Sequence, residues 1–359
     1  MGYIVHPYCF VNSQPHRGGQ RPRPIRSATP CVETATIIPY GGTIKIVQVY
    51  ESVRGADSDM KQELRSRRYV VLVHGGYVGS AHDNWVTPEV LALTGQIVEA
   101  AREKLARGCG ALDVVVDAIK SFEDSGLTDS GRGSYQNSGG FVEMDASLMV
   151  GHTGAAGAVA GMTKIKNPIV ASRLVMERTP HVLFAGSSGE QSLIHLGAEV
   201  VSDPGTYFVP VRSPQEGANR VGTVGAVAMD SRGLLVAGTS TGGTYGKMPG
   251  RVGDAPIVGA STFATERFAF SSTGAGEHFV RRGATRDIAA RVTYLGESLE
   301  QATNHVLGLI ANEDRSRGAI IAISREGDIV VRSTGYGILH GFADDDAEAH
   351  VTVRTCVTT

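Results

Sequence analysis

GTVGAVAMDSRGLLVAGTSTGGTYGKMPGRVGDAPIVGAS, residues 222–261, is the stretch on which the fold turns. Two apolar runs, TVGAVAMD and LLVAGTST, flank Ser231-Arg232-Gly233, a pattern that predicts a β-hairpin. With the turn centred near Arg232, Thr223 and Thr241 are equidistant from it along the chain. Residues opposite each other in a hairpin lie about 5 Å apart. The register therefore predicts that the two hydroxyls meet at one end of the sheet. Gly222-Thr223 alone says little, since a threonine after a glycine is an ordinary strand start. Arg251 and Asp254 follow in a glycine-rich turn and offer a cation beside an anion. Such a pair suits a zwitterionic amino acid, the guanidinium gripping an α-carboxylate and the carboxylate taking an α-ammonium. It equally suits a surface salt bridge, which contributes little.

Upstream, YVVLVHGG starts the main body with a short strand, Val70 to Val73, that ends in a glycine turn. Helices are expected over roughly 89–107 and 111–124, punctuated by Gly108 and Gly110. FVEMDASLMVG and GAAGAVAGM read as strands, and Asn167-Pro168 opens a helix with proline just inside its start. VLFAG is a further strand, and 187–222 contains a helical piece before a polar loop broken by Pro and Gly. Downstream of the hairpin, strands are expected near 257–263 and 266–272, helices over 276–292 and 297–311, and a last hairpin, AIIAIS–REGD–IVVRST. Strands, helices, strands, then the same again, with adjacent hairpins, predict an α+β fold. The expected architecture is a four-layer αββα sandwich of two antiparallel sheets.

Residues 1–68 differ from the rest. HRGGQRPRPIRSATP is expected to be an extended, poorly ordered linker, ETATIIPYGGTIKIVQVYESV a short hairpin, and LRSRR the basic lead into the body. No aromatic residues interleave with the arginines, which argues against a nucleic-acid-binding arm. The chain of 359 residues is 42% hydrophobic with a net charge of −2, so composition gives no argument for a nucleic-acid or membrane partner. No apolar run is long enough to span a membrane, and the N-terminus lacks the apolar stretch of a signal peptide. Cys9, Cys31, Cys109 and Cys356 are scattered without a CxxC pair, which argues against zinc and a disulfide framework and for a reduced, cytoplasmic setting. GGTYGKM fails as a phosphate loop because Thr241 and Met248 stand where glycine and Ser or Thr are needed. GAGEHF lacks dinucleotide spacing, and no HExxH occurs. His74, at a strand end, is expected to make structural hydrogen bonds.

The run TVGAVAMD…TSTGG…K.PGRVGDAPIVGA resembles the β-subunit start of plant-type asparaginases, also called isoaspartyl aminopeptidases. VLVHGG, GALDVVVDAI, FEDSGLTDSGRGS, EMDASLM, AGAVAGM, IKNPIVASRLVMERTPHVLFAG and STGAGE resemble further blocks of that family in its order, over about residues 70–340. The resemblance implies an Ntn-hydrolase-like precursor that breaks its own Gly222–Thr223 bond. Residues 69–222 would become an α-subunit part and 223–359 a β-subunit part. Thr223 would be the nucleophile, its freed α-amine the base, and Thr241 the partner of its hydroxyl. Thr273 and Gly274 would supply the oxyanion hole. Arg251 would bind the substrate α-carboxylate, and Asp254, with the Gly276 carbonyl, the α-amine.

The implied reaction is hydrolysis of the side-chain amide of L-asparagine, or of β-aspartyl dipeptides, through a threonyl ester. No cofactor is required. A structural Na+ or K+ is implied in the loop of Phe122, Glu123, Ser125, Thr128, Ser130 and Arg132, held by backbone carbonyls. The implied assembly is an (αβ)2 heterotetramer. Two positions depart from the family: Asp129 stands where Asn is usual near the nucleophile, and Val221 where His usually precedes the cleavage glycine. A carboxylate at 129 is expected to raise the pKa of the Thr223 amine or repel the oxyanion. These departures support an alternative, an uncleaved, inactive paralogue acting as a binding protein. A threonine endopeptidase or glycosylasparaginase is the other. The Arg251/Asp254 pair argues against the first of these, and Gly222 in place of Asp against the second.

Overall fold

The computed structural model describes residues 33–40, 43–50, 69–78, 86–209, 221–313 and 318–355. The linker expected within 1–32, the basic run at 64–68 and most of the loop before Thr223 lie outside the described residues. The first half of the chain contains strands β1 (Glu33–Tyr40), β2 (Thr43–Tyr50) and β3 (Val70–Val78), then helices α1 (Pro88–Ala106) and α2 (Ala111–Ser125). Strands β4 (Met144–Val150) and β5 (Ala156–Met162), helix α3 (Pro168–Arg178), strand β6 (Leu183–Ala185) and helices α4 (Gly186–His195) and α5 (Pro204–Tyr207) follow. The second half contains β7 (Val221–Met229), β8 (Leu235–Thr244), β9 (Phe263–Ala264) and β10 (Phe268–Gly274), then α6 (Gly276–Arg282), α7 (Ala284–Ala290) and α8 (Leu299–Ala311). It closes with β11 (Gly318–Ser324), β12 (Ile329–Ser333), β13 (Gly337–Asp344) and β14 (His350–Thr355).

Two sheets result. One has the order β2-β1-β14-β13-β3-β7-β8-β4-β5-β6 and the other β12-β11-β10-β9. Side chains alternate across a strand, and here both faces are apolar. In β3, Val70 and Leu72 join Val227, Met229, Leu235, Ala269, Ile321 and Ile323 in a core shared by the two sheets. Their neighbours Val71 and Val73 instead join Val98, Val115, Ile119, Val224, Ala226 and Val236 in a core with α1 and α2. In the second sheet, Phe268, Phe270 and Ile320 pack with Ile288, Val306 and Ile310 of α7 and α8. Strands buried on both faces lose the clean apolar–polar alternation of a one-sided sheet.

The structure corrects several expectations. The first sheet is not wholly antiparallel, because β6 returns after α3 to lie parallel to β5. The strand expected near 257–263 shrinks to β9, since Asp254–Ser261 is occupied by turns. The helix expected over 276–292 breaks at Gly283, whose φ of 56° ends α6 in the left-handed region glycine favours. The hairpin expected within 1–68 does form as β1–β2, and it joins the main sheet through β14, with Ile37 opposite Val351. The pair β13–β14 was not expected at all, yet β13 lies beside β3 near the middle of the sheet. No helix among the described residues is long and apolar enough to cross a membrane.

Candidate active site

The β7–β8 hairpin sets the site. Its turn is fixed by Asp230, whose carboxylate accepts the N–H groups of Arg232 and Leu234 and, across to α2, of Ala111. The ladder then pairs Thr223 with Thr241, next to a bulge between Val221 and Thr223. Both threonines share the strand parity of Met229 and Leu235, so they project into the space between the sheets. Thr273 on β10, of the same parity as Ala269, projects there from the facing sheet.

Thr223 Oγ1 donates to Thr241 Oγ1 at 3.2 Å, and Thr241 Oγ1 donates to the Gly222 carbonyl at 3.2 Å. The Gly243 N–H donates to Thr241 Oγ1 at 2.9 Å and holds that hydroxyl in place. Thr223, Thr241 and Thr273 are buried, and Thr273 Oγ1 has no hydrogen-bond partner among the described residues. An unsatisfied buried hydroxyl is costly in a fold that gains nothing from it. The next residue, Gly274, has φ 145°.

Arg251 and Asp254 lie together. Gly276 stands over both, and a Cβ there would lie 2.7 Å from Asp254 Oδ1 and 3.0 Å from an Arg251 guanidinium nitrogen. Arg251 Nε donates to Glu277 at 2.8 Å, which leaves the terminal nitrogens for a ligand. Burial pushes the Asp254 carboxyl up to about 6, against the pull of its own N–H, the Ser272 hydroxyl and the Arg251 charge.

Asp129 lies on the other side of the hairpin end. Its Oδ1 accepts the Tyr135 N–H at 3.0 Å, its carbonyl accepts the Gly242 N–H, and its Oδ2 is buried without a hydrogen-bond partner among the described residues. Burial pushes its carboxyl up to about 8, more than the Tyr135 N–H and the Lys247 charge pull it down. The group is therefore largely neutral at neutral pH. In the uncut chain, desolvation therefore works against the charged carboxylate expected beside the nucleophile.

His74 Nε2 lies 3.0 Å from Ser271 Oγ, which is 2.7 Å from Thr239 Oγ1. Burial, opposed by the Thr223 backbone, lowers the imidazole to about 3, so it is a neutral structural group. Sequence reasoning passed over Ser271, Thr239, Ser261 and Ser272, because small hydroxyl residues in strands carry no spacing signature.

In the loop after α2, the Phe122 carbonyl accepts the Ser125 and Thr128 hydroxyls, and Thr128 Oγ1 lies 3.1 Å from Ser130 Oγ. The Glu123 carboxyl is buried. Its Oε1 accepts the Ser240 hydroxyl and the Ile169 N–H, tying α2 to β8 and α3. Arg132 is exposed, with its guanidinium 5.9 Å from the centre of the Tyr207 ring. No cluster of three or more His, Cys, Asp or Glu suited to a metal occurs among the described residues.

Comparison with known proteins bears on this arrangement. A family model described as asparaginase matches residues 67–210 and 203–353. The chain is 37% identical over 301 residues to an isoaspartyl peptidase of Salmonella typhimurium, covering 77% of this chain and 96% of that protein. It is 38% identical over 302 residues to the Escherichia coli isoaspartyl peptidase, covering 77% and 94%. It is 36% identical over 256 residues to a Homo sapiens isoaspartyl peptidase/L-asparaginase, covering 67% and 82%.

Proposed function

The chain belongs to the asparaginase family, and from that premise we propose that it is a self-cleaving hydrolase of L-asparagine and β-aspartyl dipeptides with Thr223 as nucleophile. The names of its relatives support the substrates. The observation that carries the residue assignment is the hydroxyl chain from Thr223 through Thr241 to the Gly222 carbonyl. The core between the two sheets and a helix-covered core on the far side of each support a four-layer αββα reading.

Self-cleavage follows from that hydroxyl chain. Thr223 Oγ attacks the Gly222 carbonyl carbon while Thr241 draws off its proton and donates to the carbonyl oxygen. The peptide C–N bond breaks, the Thr223 nitrogen takes a proton, and an ester joins Gly222 to Thr223 Oγ. Water hydrolyses the ester and frees the α-amine. An N-terminal amine titrates near ~8 and so serves as general base at cellular pH.

In turnover, Arg251 and Asp254 hold the α-carboxylate and α-ammonium of the substrate. The freed amine takes the Thr223 proton and Oγ attacks the side-chain carbonyl. The Thr273 hydroxyl and Gly274 N–H receive the oxyanion, each such donor being worth about 3 kcal/mol of barrier. Ammonia or an amino acid leaves, and water releases aspartate. The unpartnered Thr273 hydroxyl supports this role.

The loop after α2 also fits a monovalent cation. The carbonyl oxygens of Thr128 and Gly126 crowd against Gly133, where a Cβ would collide with the first and stand 2.8 Å from the second. Such hard oxygen donors suit Na+ or K+, which would brace the loop carrying Asp129 and take no part in the chemistry.

Incubating the protein and its Thr223→Ala variant with asparagine and a β-aspartyl dipeptide tests the reading. The native chain is expected to release ammonia or aspartate and the variant neither; full activity in the variant removes Thr223 as nucleophile.

A further inference from the structure

Behind Asp254 lies a second set of buried hydroxyls. Ser272 has the opposite parity to Thr273 on β10 and points away from the inter-sheet space toward the turn that carries Ser261. Its Oγ lies 3.1 Å from Asp254 Oδ2 and 3.0 Å from Ser261 Oγ. Ser261 Oγ donates to the Ser272 carbonyl at 3.1 Å, and the Ser272 N–H returns to Ser261 Oγ at 3.3 Å. Both serines are fully buried.

A serine hydroxyl has one proton to give. The Ser261 proton goes to the Ser272 carbonyl or, at 3.4 Å, to Thr239 Oγ1, so that of Ser272 is left for the carboxylate, where a charge-assisted bond is the stronger choice. We propose that Ser272, braced by Ser261, is a positioning residue that keeps the Asp254 carboxylate charged and aimed at the α-ammonium of the substrate, and so governs how tightly the zwitterionic end is held. The inference rests on reading Asp254 as the ammonium partner.

Removing one donor moves a buried carboxyl toward its neutral form. Burial already holds Asp254 at about 6, so the loss falls in the working range of pH. The charged groups around it are Arg251 from its own turn, Glu277 at the head of α6, which pairs with Arg251, and Asp145 on β4, which faces Arg251 and Lys247. β10 and residues 257–262 carry no ionisable side chain, so their contribution comes through hydroxyls alone.

Carboxyl-13C aspartate labelling of the full chain reads the Asp254 titration directly, with the signal assigned by its loss in Asp254→Asn. Ser272→Ala is expected to raise the midpoint by about one pH unit and to lower kcat/KM for a β-aspartyl dipeptide about tenfold on the acid side. The loss is expected in KM and not in kcat. Ser272→Cys, a weaker donor of similar size, is expected to move both readouts the same way by less. An unchanged midpoint in both variants overturns the inference. A raised midpoint without the acid-side loss overturns the link from carboxylate charge to substrate binding. If the native chain hydrolyses neither substrate yet the midpoint still rises, the positioning role stands and the functional reading fails.

Discussion

Gly222 stands where only a hydrogen fits, because a Cβ there would lie 2.6 Å from the Asp129 Cβ. Gly222→Ala is expected to displace the carbonyl that Thr241 addresses and leave the chain uncut, as intact-protein mass spectrometry would read. Asp129→Asn keeps the shape, and the native carboxyl is already mostly neutral below about 8. Cutting and turnover are expected to match or exceed the native rates, and complete loss in an activity assay would show that the carboxyl itself is used. His74 gives a pH dependence. Its folded pKa of about 3 lies below the ordinary 6.5, so in that window an unfolded chain binds a proton that the fold refuses. Its share of stability is intact above 6.5 and falls as pH drops toward 3, by about 1.4 kcal/mol per pH unit. His74→Gln is expected to remove that slope in denaturant titrations across the window. The Thr223–Thr241 pairing was legible because hairpin register is local. The neutrality of Asp129 was not, because burial belongs to the fold and leaves no mark on neighbouring sequence.

At the scale of elements, α8 begins with a full capping box, Ser298 accepting the Gln301 N–H and the Gln301 side chain accepting the Ser298 N–H. Ser298→Ala is expected to cost about 1 kcal/mol of unfolding free energy without touching activity. Most helices and the local hairpins β1–β2, β7–β8 and β11–β12 could be read because their pairing is set by short turns and period. β13 could not. GILHGFAD has glycines at Gly337 and Gly341, is apolar on both faces, and shifts register between Leu339 and His340. Its partner β3 lies far back in the chain, and no short turn announces such a pairing. β6 was expected as a strand from VLFAG, but its parallel pairing with β5 was not, because α3 lies between the two.

For the whole molecule, cutting before Thr223 predicts fragments of roughly 222 and 137 residues on a denaturing gel, and a single band for Thr223→Ala. A native protein that stays in one piece and hydrolyses nothing would favour the inactive paralogue. The strand order has a consequence beyond the site. In the ten-stranded sheet, β1 to β6 precede the cut and β7, β8, β13 and β14 follow it, yet the two groups alternate across the sheet. The two products are therefore woven together at four seams, β1–β14, β13–β3, β3–β7 and β8–β4. Neither half can slide out without tearing the backbone ladders of the other. A cut at this bond would free a new chain end while the halves stay laced, so scission and separation would be distinct events, and only unfolding would accomplish the second.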